Sequence, residues 1–496
     1  MASFKSLAKD SVIYGMSSIA ARFINYLLVP IQTARFAASG GEYGVVTNIY
    51  AYVALMLVLL TFGMETTLFR FINRKEENAD VVYSTVLIAV GAVNLLVMAL
   101  ATMFIQPIAG AMGYADHPQW VWVMLICVAF DAFQCIPFAY LRYRKRALKF
   151  MCIKLANIGL NVVLNILYLI VFPALRWNVF GIYDDAFTLD VGWVFYINLA
   201  CTLLLNVLLW KELTCVSWRL DVKLLRRMLS YAWPLVLLGI AGILNQAFDK
   251  MAFLNIYDDA GGPGSGKVQL GIYGAAVKIA MIMAMITQAF RYAYEPFVFG
   301  NSQDRNNPAM LAKGMKYFLI FTLLAFLAVV AWIEVLKYII GEDYRVGLRV
   351  VPIVMAAEIM MGVYFNLSFW YKLTDRTLWG ALLSAVGCLV LVAVNILFVP
   401  RYGYMACAWA GVAGYGTSMI LSYLVGQRYY RVDYPMGRIF LYVLLTAALY
   451  AAMVLITVGG TLATTVYRTA LLLAFAAVVY LLEIRPARRA RVNASD

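Results

Sequence analysis

Charged residues, histidine and paired cysteines are all scarce in this chain, and each shortage excludes a class of function. Only 13% of the 496 residues are charged, whereas a soluble globular protein has about a quarter. The single histidine, His117, cannot build a histidine-based metal site. The seven cysteines show no CxxC spacing and mostly lie in apolar segments. We interpret them as small core residues, and we expect neither a metal nor a cofactor.

Long loops and catalytic motifs are missing as well. The outer loops between the apolar blocks are too short to fold as a separate domain. Residues 261–267, GGPGSGK, look like a phosphate-binding loop, but Val268 stands where that motif needs serine or threonine. No other nucleotide motif and no catalytic triad candidate is found. We therefore expect a transporter rather than an enzyme, driven by an ion gradient or by the gradient of its own substrate.

Apolar runs dominate what is present. Of all residues 64% are hydrophobic, and the mean hydropathy is +0.81. A helix needs about 20 mostly apolar residues to cross a bilayer. The sequence therefore predicts an all-α, polytopic membrane protein with about 14 transmembrane helices. The predicted spans are 11–30, 42–63, 81–105, 120–140, 151–173, 190–210, 231–256, 269–292, 316–339, 348–371, 377–399, 405–426, 438–458 and 464–483.

Basic residues lie on alternate loops between these spans. Clusters occur at 70–75, 142–149, 211–227 and 485–491. Because lysine and arginine accumulate on the cytoplasmic side, we expect these loops and both termini to face the cytoplasm. The formal net charge of +14 then reflects the lysines and arginines that gather in cytoplasmic loops, and no nucleic-acid partner is expected. We expect the basic start of the chain to lead into an uncleaved first helix.

Two short sequence matches recur at an offset of 230 residues. The Tyr-Gly pair at 43–44 recurs at 273–274, and the Asn-Ile-Leu run at 165–167 recurs at 395–397. Both pairs lie six predicted spans apart. Because six is even, the two halves have the same orientation. The sequence therefore predicts two six-helix lobes, related by an axis along the membrane normal, followed by two C-terminal helices.

The predicted domain boundaries follow from this repeat. The N-lobe is 1–210 and the C-lobe is 231–426, and residues 427–496 hold the last two spans and a basic cytoplasmic tail. The basic connection 211–230 contains LDVKLLRRMLS, which predicts an amphipathic helix lying on the membrane surface as a linker.

Polar residues inside the predicted spans are the candidates for a binding site. Arg22 and Asn25 lie on one face of the first span. In the fifth span, Lys154, Asn157 and Asn161 lead to Asn165 with 3-4-4 spacing, which places them in one stripe. An asparagine in a span often only bonds a neighbouring helix. A basic group there favours a cavity with an anionic ligand, and phosphate is the usual partner of arginine.

The seventh, eighth, fourth and tenth spans hold further candidates. Asp249 and Lys250 are adjacent, and they are either a mutual structural pair or part of a transport path. Lys278 adds a basic group to the predicted anion-binding cavity. For the acids Asp249, Asp131 and Glu358, we predict a role in coupling transport to an ion.

Four segments carry a resemblance to a known family. They are EYGVVTNIYAYVALMLVLLTFGMETTLFRF, LNQAFDK, LGIYGAAVKIA and NILFVPRYGYMACAWAG. In this order and spacing they resemble signatures of the polysaccharide-transporter, or O-antigen flippase, family. Multidrug-and-toxin extrusion antiporters and lipid II flippases belong to the same superfamily. The resemblance covers essentially the whole chain.

The resemblance implies two six-helix lobes around a central cationic cavity that opens alternately inward and outward. It implies that an undecaprenyl-diphosphate-linked oligosaccharide crosses the bacterial inner membrane, for O-antigen, lipopolysaccharide or another surface polysaccharide. The partners that it implies are this lipid-linked oligosaccharide, membrane lipids, a coupling ion (H⁺ or Na⁺), a polysaccharide polymerase and assembly proteins. It assigns no binding residue, so the candidates above rest on the sequence pattern alone.

Three other functions stay open at this point. About fourteen spans fit a lipid II flippase as well. A cation-coupled multidrug antiporter would use acids such as Asp131, Asp249 and Glu358, although Arg22 argues against a cationic substrate. A membrane enzyme such as a polysaccharide polymerase or ligase would need a large outer loop, and the outer loops are short.

Overall fold

The computed structural model describes residues 24, 26–74, 77–178, 181–184, 186–214, 217–257, 265–300, 307–374, 376–456 and 458–486. Within these residues the protein is helical and contains no β-strand. Two compact units are present, Met1–Gly274 and Ala275–Asp496.

The first unit contains the helices up to the start of the eighth predicted span. They are α1 (Leu28–Arg35), α2 (Glu42–Thr61), α3 (Met64–Ile72), α4 (Ala79–Met103), α5 (Ile105–Ala111), α6 (Pro118–Tyr143), α7 (Ala147–Ile166), α8 (Phe172–Leu175), α9 (Gly192–Leu208), α10 (Trp210–Thr214), α11 (Val222–Met251), α12 (Phe253–Ile256) and the beginning of α13 (Gly266–Gly300). A π-helical segment, Leu167–Val171, joins α7 to α8.

The second unit contains the rest of α13 and the helices that follow. They are α14 (Asn307–Ala331), α15 (Ile333–Leu336), α16 (Val351–Leu367), α17 (Phe369–Leu373), α18 (Leu378–Tyr402), α19 (Tyr404–Tyr429), α20 (Met436–Leu455) and α21 (Thr461–Val479). The 3₁₀ segments Lys337–Ile339 and Glu342–Val350 precede α16, and a π-helical segment, Tyr480–Ile484, extends α21.

Eleven of the described helical stretches are long and apolar enough to cross a membrane. A shorter apolar helix, α9, and the 26-residue helix α19 account for the sixth and twelfth predicted spans. The first predicted span, 11–30, lies mostly outside the described residues. The prediction of an all-helical, multi-pass membrane protein is thus confirmed.

The core of the first unit forms where apolar residues three or four apart on one helix meet those of its neighbours. On α4, Tyr83, Leu87 and Val90 are at most 1% exposed, as expected for one face of a helix. Tyr83 stacks on Tyr140 of α6 with ring centroids 4.1 Å apart. These contacts hold α4 and α6 side by side.

The start of α13 crosses α2 at very short range. A Cβ added to Gly44 would lie 1.9 Å from the carbonyl oxygen of Lys267, so no larger residue fits there. Glycine therefore permits the close backbone approach. One turn further along α2, Asn48 is fully buried and donates through Nδ2 to the carbonyl oxygen of Lys250 at 2.7 Å, at the end of α11. The second predicted span is therefore a packing centre of this unit.

The predicted surface helix in the connection 211–230 is not separate. Residues from Val222 onward form one 30-residue helix with the seventh span. The reason is a continuous buried face, since Leu224, Met228 and Ala232 are spaced by four residues and are at most 1% exposed. The domain boundaries at 210, 231 and 426 stay a prediction.

In the second unit, α18 and α19 approach closely at Gly387. A Cβ at this position would lie 1.9 Å from Ser418 Oγ and 2.7 Å from the carbonyl oxygen of Gly414. The C-terminal hairpin of α20 and α21 packs on α14. Few residues of α20 and α21 are buried within the protein. Polar contacts at the ends of the hairpin therefore add to this packing.

Two ionic clusters fix this hairpin at its ends. Glu483 is only 8% exposed and accepts from Lys316 Nζ of α14 at 2.5 Å and from Arg438 of α20 at 2.8 Å. At the other end, Arg468 of α21 lies 3.7 Å from Glu334 and donates to the carbonyl oxygen of Met453 at 3.0 Å. The hairpin is thus bonded to the body of its unit.

The two asparagines of the proposed repeat share one local hydrogen bond, although Asn165 also donates to Asn161 Oδ1 at 3.2 Å. Asn165 is 0% and Asn395 is 1% exposed. Each donates its Nδ2 to a carbonyl oxygen four residues earlier, that of Asn161 at 2.8 Å and that of Leu391 at 2.9 Å. Each leaves its Oδ1 without a partner among the described residues. This likeness supports two related halves, which remain a prediction.

Candidate functional site

The polar stripe of the fifth span lies on α7 and faces α9. Asn161 donates to Asn198 Oδ1 of α9 at 3.4 Å, and Asn198 donates to the hydroxyl of Tyr50 on α2 at 3.1 Å. Lys154 and Asn157 continue the stripe and are half-buried. Spacing of three and four residues on one helix thus places several polar side chains toward the same neighbours.

Lys154 is a basic group with no direct acidic partner. Its Nζ lies 4.4 Å from the ring centroid of Phe138, a cation–π contact. It interacts electrostatically with Asp131 of α6, but it forms neither an ion pair nor a hydrogen bond with the described residues. An amine in this state has donors left for a ligand.

Asp131 and Gln134 both contact one residue of α9, as expected for a shared helix face. Asp131 Oδ1 accepts from Thr202 Oγ1 at 3.3 Å, and Gln134 Nε2 donates to the Thr202 carbonyl oxygen at 2.8 Å. Asn157 Oδ1 is buried without a partner among the described residues. The structure therefore brings Lys154, Asp131 and Asn157 into one region of the first unit with unused bonding capacity.

Asp249 and Lys250 form the ion pair that their adjacency suggested. Lys250 Nζ lies 2.9 Å from Asp249 Oδ2 and 3.2 Å from the carbonyl oxygen of Gln246. Tyr273 donates its hydroxyl to the same carboxylate oxygen at 2.6 Å. The charge of Lys250 is thus balanced by Asp249, so this lysine is not a free cation in the conformation described.

Lys278 of α13 and Glu358 of α16 belong to the second unit. Both side chains are half-buried, and both have polar or electrostatic partners. Arg22 and Asn25 lie outside the described residues. The structure therefore groups the candidates of α6 and α7, and separately those of α11, while the roles of all of them stay predictions.

Asn48 and Tyr114 form a buried polar contact that the sequence pattern did not single out. Tyr114 donates its hydroxyl to Asn48 Oδ1 at 2.9 Å, and Asn48 also donates to the carbonyl oxygen of Met251 at 3.2 Å. Asn48 stands in a long apolar run, which was a usable signal. Tyr114 lies in the connection between α5 and α6, and nothing in the sequence pairs it with a residue 66 positions away.

Glu295 lies on α13 beyond the membrane-spanning stretch, where two basic residues, Lys372 and Arg291, act on its carboxyl group. Burial alone would raise the pKa of its carboxyl group, but the hydrogen bond from Lys372 at 2.8 Å and the charge of Arg291 lower the pKa below its ordinary value. The carboxylate is therefore charged at neutral pH and ties α13 to α17.

Residues 34–349 match a family model described as polysaccharide biosynthesis protein. The chain belongs to this family. No curated protein sequence matches it. The part of the chain that matches begins in α1 and ends just before α16, so it includes α6, α7 and the Asp249–Lys250 pair.

This polysaccharide biosynthesis protein is similar to solved transporter structures. One is the lipid II flippase MurJ in an inward closed conformation, with a TM-score of 0.72, 14% identity, and coverage of 95% of this chain and 99% of that one. Another is a MATE family multidrug resistance transporter of the MOP superfamily in an inward-facing conformation, with a TM-score of 0.60, 16% identity, and coverage of 83% and 93%. At these identities the likeness establishes the fold alone, which this chain shares with both structures.

Proposed function

We propose that this protein moves an undecaprenyl-diphosphate-linked oligosaccharide across the bacterial inner membrane by alternating access, for O-antigen or another surface polysaccharide. Membership in a polysaccharide biosynthesis family carries the proposal. The chain shares its fold with a lipid II flippase and a multidrug transporter, which supports a transport function. A transporter in polysaccharide biosynthesis needs a sugar-containing cargo, and a lipid-linked diphosphate is the form in which such a cargo reaches the membrane.

The basic groups within the spans support an anionic cargo. A charge at the bilayer centre costs a few kcal/mol, so a role must offset that cost. Lys154 has no direct acidic partner among the described residues, and its amine provides a point charge for a phosphate oxygen. Asn157 and Asn161 offer amide groups beside it. We assign these three residues, with Arg22, Asn25, Lys250 and Lys278, to the cargo pathway.

Coupling to an ion is proposed for the three acids. Asp249 holds Lys250 and Tyr273 in the conformation described. In another conformation the carboxylate changes partners and releases Lys250 toward the diphosphate. The other groups that take up H⁺ or Na⁺ are Glu358 and Asp131, which among the described residues accepts a single 3.3 Å bond, from Thr202.

The alternating movement is proposed for the two halves 1–210 and 231–426, with residues 427–496 as an added hairpin and tail. The alternation of basic loops supports a cytoplasmic location of both termini. Membrane lipids surround the halves, and polysaccharide polymerase and assembly proteins receive the cargo on the outer side.

The test is surface polysaccharide production by a strain whose own flippase has been deleted and which depends on this chain. We expect the wild type to restore production, and Arg22→Ala to lose most of it at unchanged expression, whereas Arg22→Lys retains part. Exposed Lys211→Gln is the matched control and should restore production fully. Failure of the wild type to restore production with any lipid-linked oligosaccharide would reject the proposal.

A lipid II flippase is the second candidate, because the likeness to MurJ extends over 95% of this chain and 99% of that one. The two candidates separate in a strain depleted of its lipid II flippase. Rescue of growth there, without restored surface polysaccharide in the first strain, would favour lipid II. Resistance to cationic drugs in both strains, without either rescue, would instead favour a multidrug antiporter.

A further inference from the structure

The connection between α10 and α11 is fixed to α4 by two buried hydroxyl groups. Ser84 Oγ accepts from the backbone N–H of Arg219 at 3.2 Å and lies 3.3 Å from Ser217 Oγ. Thr85 Oγ1 accepts from the backbone N–H of Asp221 at 3.2 Å. Both hydroxyl residues are 0% exposed. Because a buried hydroxyl without a partner is costly, these bonds hold the connection against the first unit.

The residues that alternate with these anchor points are apolar and exposed. Trp218 and Leu220 lie between anchored residues and Val222 follows the last one, and they are 65%, 48% and 67% exposed. They alternate with the anchored residues, so they project from the surface as one ridge, which we call the apolar ridge. Trp218 has a φ of 49°, a left-handed conformation that is unusual for a bulky residue. The anchors on both sides of Trp218 keep it in this conformation.

Three basic residues lie beside the apolar ridge. Arg219, Lys223 and Arg226 are exposed and form no ion pair with the described residues. The neighbouring acids are engaged, since Glu77 pairs with Arg227 and Asp221 accepts from the backbone N–H of Leu224 at 3.0 Å. We call these three residues the basic row. Its charge is therefore open to an external anion.

The length of α11 places the ridge and the row at the edge of the bilayer. The helix has 30 residues, which corresponds to about 45 Å at 1.5 Å per residue. The hydrocarbon core is only about 30 Å thick. Roughly a third of the helix therefore lies outside the hydrocarbon. We assign this part to the first turns, which contain Lys223 and Arg226 and follow directly on Arg219, because residues 232–244 carry no charged or amide side chain.

We propose that the apolar ridge and the basic row together bind anionic phospholipid headgroups at the membrane surface. Tryptophan favours the interface because its ring is apolar and its N–H is polar. Each basic residue close to an anionic surface strengthens binding by roughly five-fold. The charge of the row complements an anionic lipid, and the adjoining ridge enters the acyl boundary. This lipid site is distinct from the cargo pathway and does not depend on the identity of the cargo.

Competition between two lipids on the delipidated full-length protein tests this proposal. The probes are phosphatidylglycerol and phosphatidylcholine with identical acyl chains, and native mass spectrometry counts the lipids retained. We expect the wild type to prefer phosphatidylglycerol. The triple variant Arg219→Gln, Lys223→Gln, Arg226→Gln should lose at least about ten-fold of this preference, and the preference of the wild type should fall as salt is raised.

The matched control removes three exposed basic residues elsewhere, Arg176→Gln, Arg401→Gln and Arg428→Gln. It should keep the wild-type preference. An equal loss in this control would mean that overall charge attracts the lipid, and the proposal would be wrong. Equal retention of both lipids by the wild type would also overturn it and would point to a protein partner instead.

A second measurement does not need the charge variants. The protein is placed in bilayers whose phosphatidylglycerol is brominated near the headgroup end of the acyl chains. The fluorescence difference between the wild type and Trp218→Phe isolates Trp218. We expect bromine to quench this difference signal at least two-fold more strongly than bromine at the chain ends does. An unquenched Trp218 would show that the ridge stays in water and would overturn the proposal.

Discussion

The polar centre around Glu483 and the polar centre around Lys154 are satisfied to very different degrees. Glu483 accepts from Lys316, from Arg438 and from the hydroxyl of Tyr442 at 3.0 Å. Among the described residues, Lys154 has the ring of Phe138 in contact and interacts electrostatically with Asp131 and Glu65, without an ion pair or hydrogen bond. Both centres lie on helices that contain membrane-spanning stretches.

This difference separates a polar centre that stabilises packing from one that keeps bonding capacity for a ligand. Buried polar groups are nearly always paired, because an unpaired one costs the full desolvation penalty. The Glu483 centre follows that rule and holds three helices together. The Lys154 centre departs from it at Asn157 Oδ1, which is buried without a partner among the described residues, and the half-buried Lys154 beside it lacks a direct acidic partner among them; both groups can therefore bond a ligand.

The Glu483 centre should give the largest effect when it is broken. Glu483→Gln leaves Lys316, whose side chain is only 12% exposed, without a negative partner. Breaking a buried ion pair costs about 3–5 kcal/mol. We expect a lower midpoint of thermal unfolding in detergent, with transport per folded molecule unchanged. Asp433→Asn, in an exposed pair with Arg431, should leave the midpoint as it is, and an equally stable Glu483→Gln would contradict the structural role.

The Lys154 centre should respond in the opposite way. We expect Lys154→Gln to lower transport of the lipid-linked oligosaccharide by at least about ten-fold, because one charge–phosphate contact of about 1.5–3 kcal/mol is lost. Thermal stability should stay the same or rise, since a half-buried charge without a direct partner is removed. Transport in proteoliposomes and thermal unfolding are measured together, with Lys211→Gln as the control. A destabilised Lys154→Gln variant with normal transport per folded molecule would show that Lys154, like Glu483, stabilises the packing of helices and does not bind the cargo.

The Asp249–Lys250 pair is intermediate between the Glu483 centre and the Lys154 centre. Its two charges balance each other, but in the described contacts no second acid supports the pair. Asp249→Asn keeps an acceptor for Tyr273 and removes the charge that balances Lys250. We expect a folded protein whose transport is slowed by several-fold and loses its dependence on the H⁺ or Na⁺ gradient. A fully active, still gradient-dependent variant would show that the charge of Asp249 is dispensable.

The smallest effect concerns the matched asparagines of the two halves. Asn165→Ala and Asn395→Ala each remove a bond to a carbonyl oxygen four residues earlier, and Asn165→Ala also removes the bond to Asn161 Oδ1. We expect each backbone bond to contribute around 0.6 kcal/mol, with equal shifts in thermal stability when both substitutions are made in an Asn161→Ala background. Clearly unequal shifts would mean that the two positions are not equivalent, and the predicted repeat would lose this support.

Contacts within one helix were the part that the sequence predicted well. The stripe from Lys154 to Asn165 and the pair of Asp249 and Lys250 depend only on helical spacing or adjacency, so they follow once the helix is predicted. Apolar length likewise predicted the described spans.

Contacts between distant helices could not be predicted in the same way. Glu483 meets Lys316 across 167 positions, and Asp131 meets Thr202 across 71. Such pairs depend on which helix faces pack together, and no local pattern encodes that. Helix α11 shows the same limit. The charges of 223–227 predicted a separate surface helix, but the buried face that continues through Ala232 makes these residues part of one long helix.

The close approach of α2 and the start of α13 at Gly44 also has a consequence for the synthesis of the protein. Its partner, Lys267, is synthesised roughly 220 residues later. At about 5–20 residues per second, that delay is on the order of ten to forty seconds. Throughout it, α2 sits in the bilayer with its glycine face and the amide of Asn48 open to lipid or to insertion factors. A chain stalled or truncated before the eighth span would therefore present a recognisable unfinished surface, on which membrane quality control can act.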